Sequence, residues 1–197
     1  MSWQIAPCAH PNGRQAAVSL GRGLGPVARA AQAASLAYAH AMWFRTEAAD
    51  LSWRSAHEFV NVVDIDAPAG QVFPLLTGER FEEWLTDLKG MRWTSAAPHG
   101  VGSTREVHLR ALSVQERVLA WDEGARFGFV IEAITIPIVR WMTEDMRLEP
   151  RGEGACTFHY VVRYEPARWA RPLTPLLRPV FAKMFRQAAE NVARIAR

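Results

Sequence analysis

The sequence predicts an α+β fold: a curved antiparallel sheet of about seven strands, in β-α-α-β6-α order, wrapped around a long C-terminal helix. Three observations predict it. After Gly90, six segments alternate apolar and polar residues with only short turns between them. Parallel pairing would need long crossovers, so these segments pair antiparallel. One strand-like and two short helix-like segments precede them. Residues 172–196 carry the longest helical stripe in the chain. A stripe of about six turns needs a broad apolar partner, and a sheet face is the candidate.

The elements follow in order. Residues 57–67 (HEFVNVVDIDA) put Phe59, Val63 and Ile65 broadly on one side, which predicts a strand. Pro68 stops it and opens a short helix whose apolar face is Val72, Phe73, Leu75 and Leu76, ended by Thr77-Gly78. In residues 81–88, Phe81, Trp84, Leu85 and Leu88 fall at i, i+3, i+4 and i+7, which predicts a second short helix. Strands are expected at 91–94, 103–110, 113–121, 126–133, 139–148 and 155–164, with Gly100, Gly102, Gly124, Pro137, Gly152 and Gly154 in the turns. The terminal stripe is Leu173, Leu176, Leu177, Val180, Phe181, Met184, Phe185, Ala188, Val192 and Ile195. Arg178, Arg186, Gln187, Glu190 and Arg194 take the outer face.

At 197 residues, with 49% apolar and 22% charged side chains, the chain is one globular domain with an appendage. Residues 1–50 are expected to be an N-terminal extension, irregular or partly helical, and residues 51–197 the folded body. The first 46 residues hold no Asp or Glu and four arginines (Arg14, Arg22, Arg29 and Arg45); the remainder balances 19 basic against 20 acidic side chains. The net charge of +3 therefore belongs to the extension, and the neutral body lacks the footprint of a nucleic-acid surface. For the extension three readings stand: a disordered or mis-started leader with Met42 as one candidate start, a helix docked on the body, or an organelle-targeting segment. Its most apolar stretch, 27–44, is broken by Arg29, Gln32 and His40, so no stable membrane insertion is expected. Two distant cysteines, Cys8 and Cys156, fit a reducing, cytoplasmic setting rather than a disulfide scaffold.

Strand phase singles out a candidate site. If Val107 faces the helix, so does Arg105; if Val118 does, so does Glu116; if Met142 and Met146 do, so does Glu144. These charges would share the concave side with Phe127, Phe129, Tyr160 and Tyr164, and with Phe181, Met184 and Phe185 of the terminal helix. Buried charges are costly unless paired, so Arg105 is expected to pair with Glu116 or Glu144. The alternative for each residue is ordinary core packing or a structural ion pair. His108 and His159 fall in the outward phase. No metal or cofactor is expected. H-E-x-x-H and C-x-x-C are absent, and the glycines at 21–25 lack a preceding strand and the phosphate-loop Lys-Ser/Thr.

Several local motifs resemble the START-like (SRPBCC) superfamily, in its polyketide cyclase/dehydrase branch, from His57 to the C-terminus. They are Ile65-Asp66-Ala67-Pro68 followed by Val72-Phe73, then Trp84, then Gly100-Val101-Gly102-Ser103-Thr104-Arg105-Glu106-Val107, Glu116-Arg117-Val118 and Trp121-Asp122. The resemblance implies a helix-grip fold and a ligand pocket between sheet and terminal helix, with Trp84 among its aromatics. It supports a pocket better than any one reaction. Binding or carriage of a hydrophobic small molecule (a lipid, isoprenoid, quinone or polyketide) is the first expectation. A polyketide cyclase/aromatase is the alternative, with Glu116, Glu144, Tyr160 or Tyr164 as acid–base groups and Arg105 polarising a carbonyl. A module with a closed cavity and a working outer surface is the third.

Overall fold

A computed structural model describes residues 42–78 and 80–197. Among the described residues one sheet holds eight strands: β1 (Phe44–Arg45), β2 (Glu58–Ile65), β3 (Leu88–Trp93), β4 (Thr104–Leu109), β5 (Ser113–Asp122), β6 (Arg126–Ile134), β7 (Val139–Pro150) and β8 (Cys156–Pro166). Helices α1 (Ala69–Thr77) and α2 (Phe81–Trp84) connect β2 to β3, and a 3-10 helix (Arg168–Leu173) leads into α3 (Thr174–Ile195). The strand order is β2-β8-β7-β6-β5-β4-β3, with β1 added to β6, and every pairing is antiparallel. This is the helix-grip architecture the sequence predicts.

The concave face carries the core. Val107, Val118, Phe127, Phe129, Met146, Phe158, Tyr160 and Val162 are buried there, from five consecutive strands of the sheet. Each large apolar side chain fully removed from water contributes about 1.5–3 kcal/mol. Against them α3 lays Phe185, Ala188, Ala189, Val192 and Ala193. The small alanines let the helix approach closely.

Two bulges set which side chains face inward. Between Gln115↔Ala133 and Glu116↔Ile131, β6 holds one extra residue; between Val118↔Phe129 and Ala120↔Gly128, β5 does. A bulge reverses the alternation beyond it. So Ile134 joins Ile131 on the inner face, and Trp121 turns inward to meet Phe73, Trp93 and Phe127.

Four local expectations need correction. The second helix stops at Trp84 instead of continuing to Leu88: Asn191 Nδ2 donates to the Trp84 carbonyl (3.1 Å), Leu85 is extended, and Leu88 opens β3. The terminal stripe is not continuous, since Leu173, Leu176 and Val180 are 43%, 72% and 64% exposed. At 3.6 residues per turn, Leu176, Val180 and Lys183 share a side roughly opposite Phe185, so these apolar residues belong to the outer face. Helical turns begin at Arg168, earlier than Pro172, because a 3-10 segment precedes α3. The folded body also reaches back before residue 51. Phe44 and Arg45 pair with Ile134 and Ala133, Thr46 N donates to Glu132 O (3.0 Å), and Glu47 N donates to Arg140 O (2.8 Å). Farther along, Leu51 is buried on the convex face and Trp53 stands edge-on to Trp141 at 5.5 Å. The other readings of the extension concern residues 1–41 and lie outside the described residues.

Gly128 explains how this strap sits so close to the sheet. A Cβ there would lie 2.6 Å from Leu51 Cδ1 and 3.3 Å from the Glu144 carbonyl oxygen, so the missing side chain is the seat of Leu51.

Candidate functional site

Between the sheet, α2 and the middle of α3 lies an apolar cavity of about 110 Å³. β2 supplies Phe59, α2 and the turn after it supply Phe81, Trp84 and Leu85, and β4 supplies Val107 and Leu109. Leu112, Val114, Phe129, Ile131, Ile134, Ile138, Val139 and Met142 continue the wall, and α3 closes it with Phe181, Met184 and Phe185. Its ionisable members are Glu116, Glu144, Tyr160 and Tyr164. Of the residues singled out by strand phase and resemblance, the structure brings eleven to this wall: Trp84, Val107, Glu116, Phe129, Met142, Glu144, Tyr160, Tyr164, Phe181, Met184 and Phe185. Arg105, Val118, Phe127 and Met146 do not line it; they are buried behind it in the same core.

The polar cluster is built from four strands. Antiparallel register puts Arg105 of β4 opposite Glu116 of β5, and Arg105 Nε donates to Glu116 Oε2 at 2.6 Å. The guanidinium is stacked among rings, 4.6 Å from the Phe81 centroid, 5.0 Å from Phe129, 5.1 Å from Phe127 and 5.5 Å from Trp93. Its Nη1 and Nη2 are buried without hydrogen-bond partners. Ring faces are negative, so they replace part of the solvation those nitrogens give up.

From β7, Glu144 accepts a 2.5 Å hydrogen bond from the Tyr160 hydroxyl of β8. Burial, and then the charge of Glu116, push the Glu144 carboxyl from 4.5 up to about 8, against the pull of Tyr160 and Arg105. Burial raises Glu116 too, while the Arg105 guanidinium lowers it. Glu116 is the hydrogen-bonded partner of the Arg105 guanidinium, and two carboxyl groups beside one guanidinium leave the second, Glu144, favouring its neutral form. Tyr160 is pushed well above its ordinary value by burial and by Glu144, which keeps it a neutral donor. The cluster can therefore hold one proton on Glu144 in an apolar surround, and that is acid–base capacity.

Several wall residues are not among the candidate site residues of the sequence reading. Phe59, Phe81, Leu109, Val114 and Ile131 share the phase of residues that are named there, so the same alternation would have found them. Ile134 and Val139 lie beyond or beside bulges, where counting by two fails. Leu112 sits in the turn between β4 and β5 and offers no periodic signal. The outward phase of His108 and His159 brings neither to the wall: His108 Nδ1 lies 3.0 Å from Ser113 Oγ, and His159 Nε2 lies 3.3 Å from Glu149.

A wider, open groove of about 660 Å³ crosses the convex face under residues 50–54. Part of its charged wall is paired internally. Asp145 accepts from both Arg126 and Arg147, at 2.8 Å each, and their pull holds its carboxyl below the usual range although burial works the other way. Among the described residues no group of three or more His, Cys, Asp or Glu side chains is placed to hold a metal, and no helix is long and apolar enough to cross a membrane.

The family of polyketide cyclases/dehydrases and lipid transport proteins has a sequence model that matches residues 56–197, most of the chain. The chain belongs to that family. Uncharacterised proteins of Mycobacterium tuberculosis and Mycobacterium bovis are each 28% identical over 138 residues, covering 69% of this chain and 82% of theirs. Among solved structures, an aromatase/cyclase of a Streptomyces species superposes with a TM-score of 0.61 at 12% identity, over 71% of this chain and 93% of that one. A protein of Thermus thermophilus gives 0.59 at 15%, over 71% and 97%. Norcoclaurine synthase of Thalictrum flavum, in complex with dopamine and hydroxybenzaldehyde, gives 0.54 at 10%, over 76% and 96%. At such identities the likeness is one of fold.

Proposed function

We propose that this protein binds and carries a hydrophobic small molecule, of lipid, isoprenoid, quinone or polyketide type, in the cavity between sheet and terminal helix, and that it does so in the cytoplasm. The supporting observation is the wall itself: an almost wholly apolar lining in which four ionisable side chains converge from β5, β7 and β8. Such a pocket gives affinity through apolar area and orientation through a few polar groups. At about 110 Å³ the cavity takes one ring as it stands. Phe181 and Met184, only partly buried on α3, are the side chains that give way for a larger ligand. Native mass spectrometry of the protein purified from its own source should show a co-purifying apolar adduct. A bare protein that also ignores small apolar probes in solution would overturn the reading.

One observation favours a second reading, a cyclase/aromatase. The Glu144–Tyr160 pair offers a proton donor that is neutral at pH 7 inside the cavity, and one of the structural neighbours is an aromatase/cyclase. Incubation with a poly-β-keto thioester separates the two. Turnover that Glu144→Gln abolishes, with binding retained, would select the enzyme; binding without turnover selects the carrier.

A further inference from the structure

The charges around the cavity decide what kind of molecule it takes, and this step rests on the cavity being a ligand site. Among the described residues its wall contains two carboxyl groups, Glu116 and Glu144, and no Lys, Arg or His. Arg105 stands behind the wall, held by Glu116 at 2.6 Å and covered by Phe81 and Phe129, and the exposed Arg178 lies outside it, 5.6 Å from the Phe59 ring centroid. The ion pair thus presents its negative end to the cavity. A carboxylate inside the cavity would lose its water, face the Glu116 end of the ion pair and find no counter-charge among the described wall residues.

We infer that the cavity admits uncharged ligands bearing an acceptor oxygen and turns away carboxylates such as fatty acids. The favourable half comes from Glu144. One of its oxygens accepts from Tyr160 at 2.5 Å, and as a neutral acid at pH 7 it has an O–H to donate to a ligand carbonyl. Around Glu144 the charged and titratable groups are Glu116 on β5, Arg105 on β4 and Tyr160 on β8, while α3 brings only Phe181, Met184 and Phe185 to the wall. Above pH 8 the acid ionises and the donor is lost.

Three one-ring probes of similar size test this: ethylbenzene, acetophenone and benzoate, titrated into the full chain and followed by amide chemical shifts at pH 6.5 and pH 9.5. At pH 6.5 ethylbenzene should bind, acetophenone should bind roughly five- to tenfold more tightly, and benzoate at least tenfold more weakly than ethylbenzene. At pH 9.5 the acetophenone advantage should vanish in wild type and persist in Glu144→Gln, whose amide still donates. If ethylbenzene binds and benzoate matches or exceeds acetophenone, charge selection is overturned while the cavity stands. Equal affinity for ethylbenzene and acetophenone at pH 6.5 overturns the donor role of Glu144. Failure of all three probes overturns the cavity itself.

Discussion

Glu144→Gln should leave stability nearly unchanged at pH 5 and raise it at pH 8. The side chain is buried, and its carboxyl is moved from 4.5 in an ordinary setting to about 8 in the folded protein, by burial first and Glu116 second. The folded form thus holds this proton more tightly than the unfolded chain does. Stability from this group is whole below pH 4.5 and declines as pH rises, the loss being complete once pH passes about 8. Each unit of separation corresponds to about 1.4 kcal/mol, so between pH 5 and pH 8 wild type should lose on the order of 3 kcal/mol through Glu144. Gln keeps an oxygen for the Tyr160 hydroxyl and cannot ionise. Any fixed cost of its amide shifts the whole curve without tilting it. Urea unfolding followed by circular dichroism at pH 5, 6, 7 and 8 reads the slope directly. In melting temperature the two proteins should diverge by roughly 6–12 °C across that range. Parallel curves for wild type and variant would refute the assignment of a raised, buried carboxyl.

Three further outcomes follow from the packing. Gly128→Ala should destabilise by about 1–3 kcal/mol because its methyl would invade Leu51, and adding Leu51→Ala should recover part of that loss in a double-mutant cycle; additive effects would mean that the strap does not rest on Gly128. Arg105→Met strips Glu116 of its counter-charge in a buried site and should cost about 3–5 kcal/mol, much of it returned in Arg105→Met with Glu116→Gln; chemical denaturation of the single and double variants decides it. Phe185→Asp should prevent folding, whereas Leu176→Asp, on the exposed side of the same helix, should change stability by less than about 0.5 kcal/mol in a thermal melt.

The fold was legible because its elements are long and periodic. The alternation in 126–133 and 155–164, and the apolar positions 185, 188 and 192, each point to one solution. The site was legible only as far as alternation held. Arg105, Glu116, Glu144 and Tyr160 lie on uninterrupted stretches and came out on the concave side together. Depth was not legible: phase states which side a residue faces, not whether another side chain stands in front of it, and Arg105 is screened in this way. Leu176 and Val180 read as core because spacing shows that apolar residues share a face without showing what covers it. Phe44, Leu51 and Trp53 were missed because a strap held by scattered contacts has no period to detect.

The pairing of β2 with β8 governs how this chain is made. Glu58 pairs with Arg163 and Ile65 with Cys156, so the first long strand waits for a neighbour synthesised about 100 residues later. At roughly 5–20 residues per second that wait lasts about 5–20 s. During it the segment around Val60 and Val62 has no ladder partner, and α2 lacks the terminal helix that packs against it. Such a strand is open to pairing with other nascent chains. The meander from β3 to β8 can assemble hairpin by hairpin, but its inner face stays wet until α3 has left the ribosome. Misassembly during production is therefore concentrated in β2, and crowding or slow translation raises the chance of aggregation there before the native neighbour arrives.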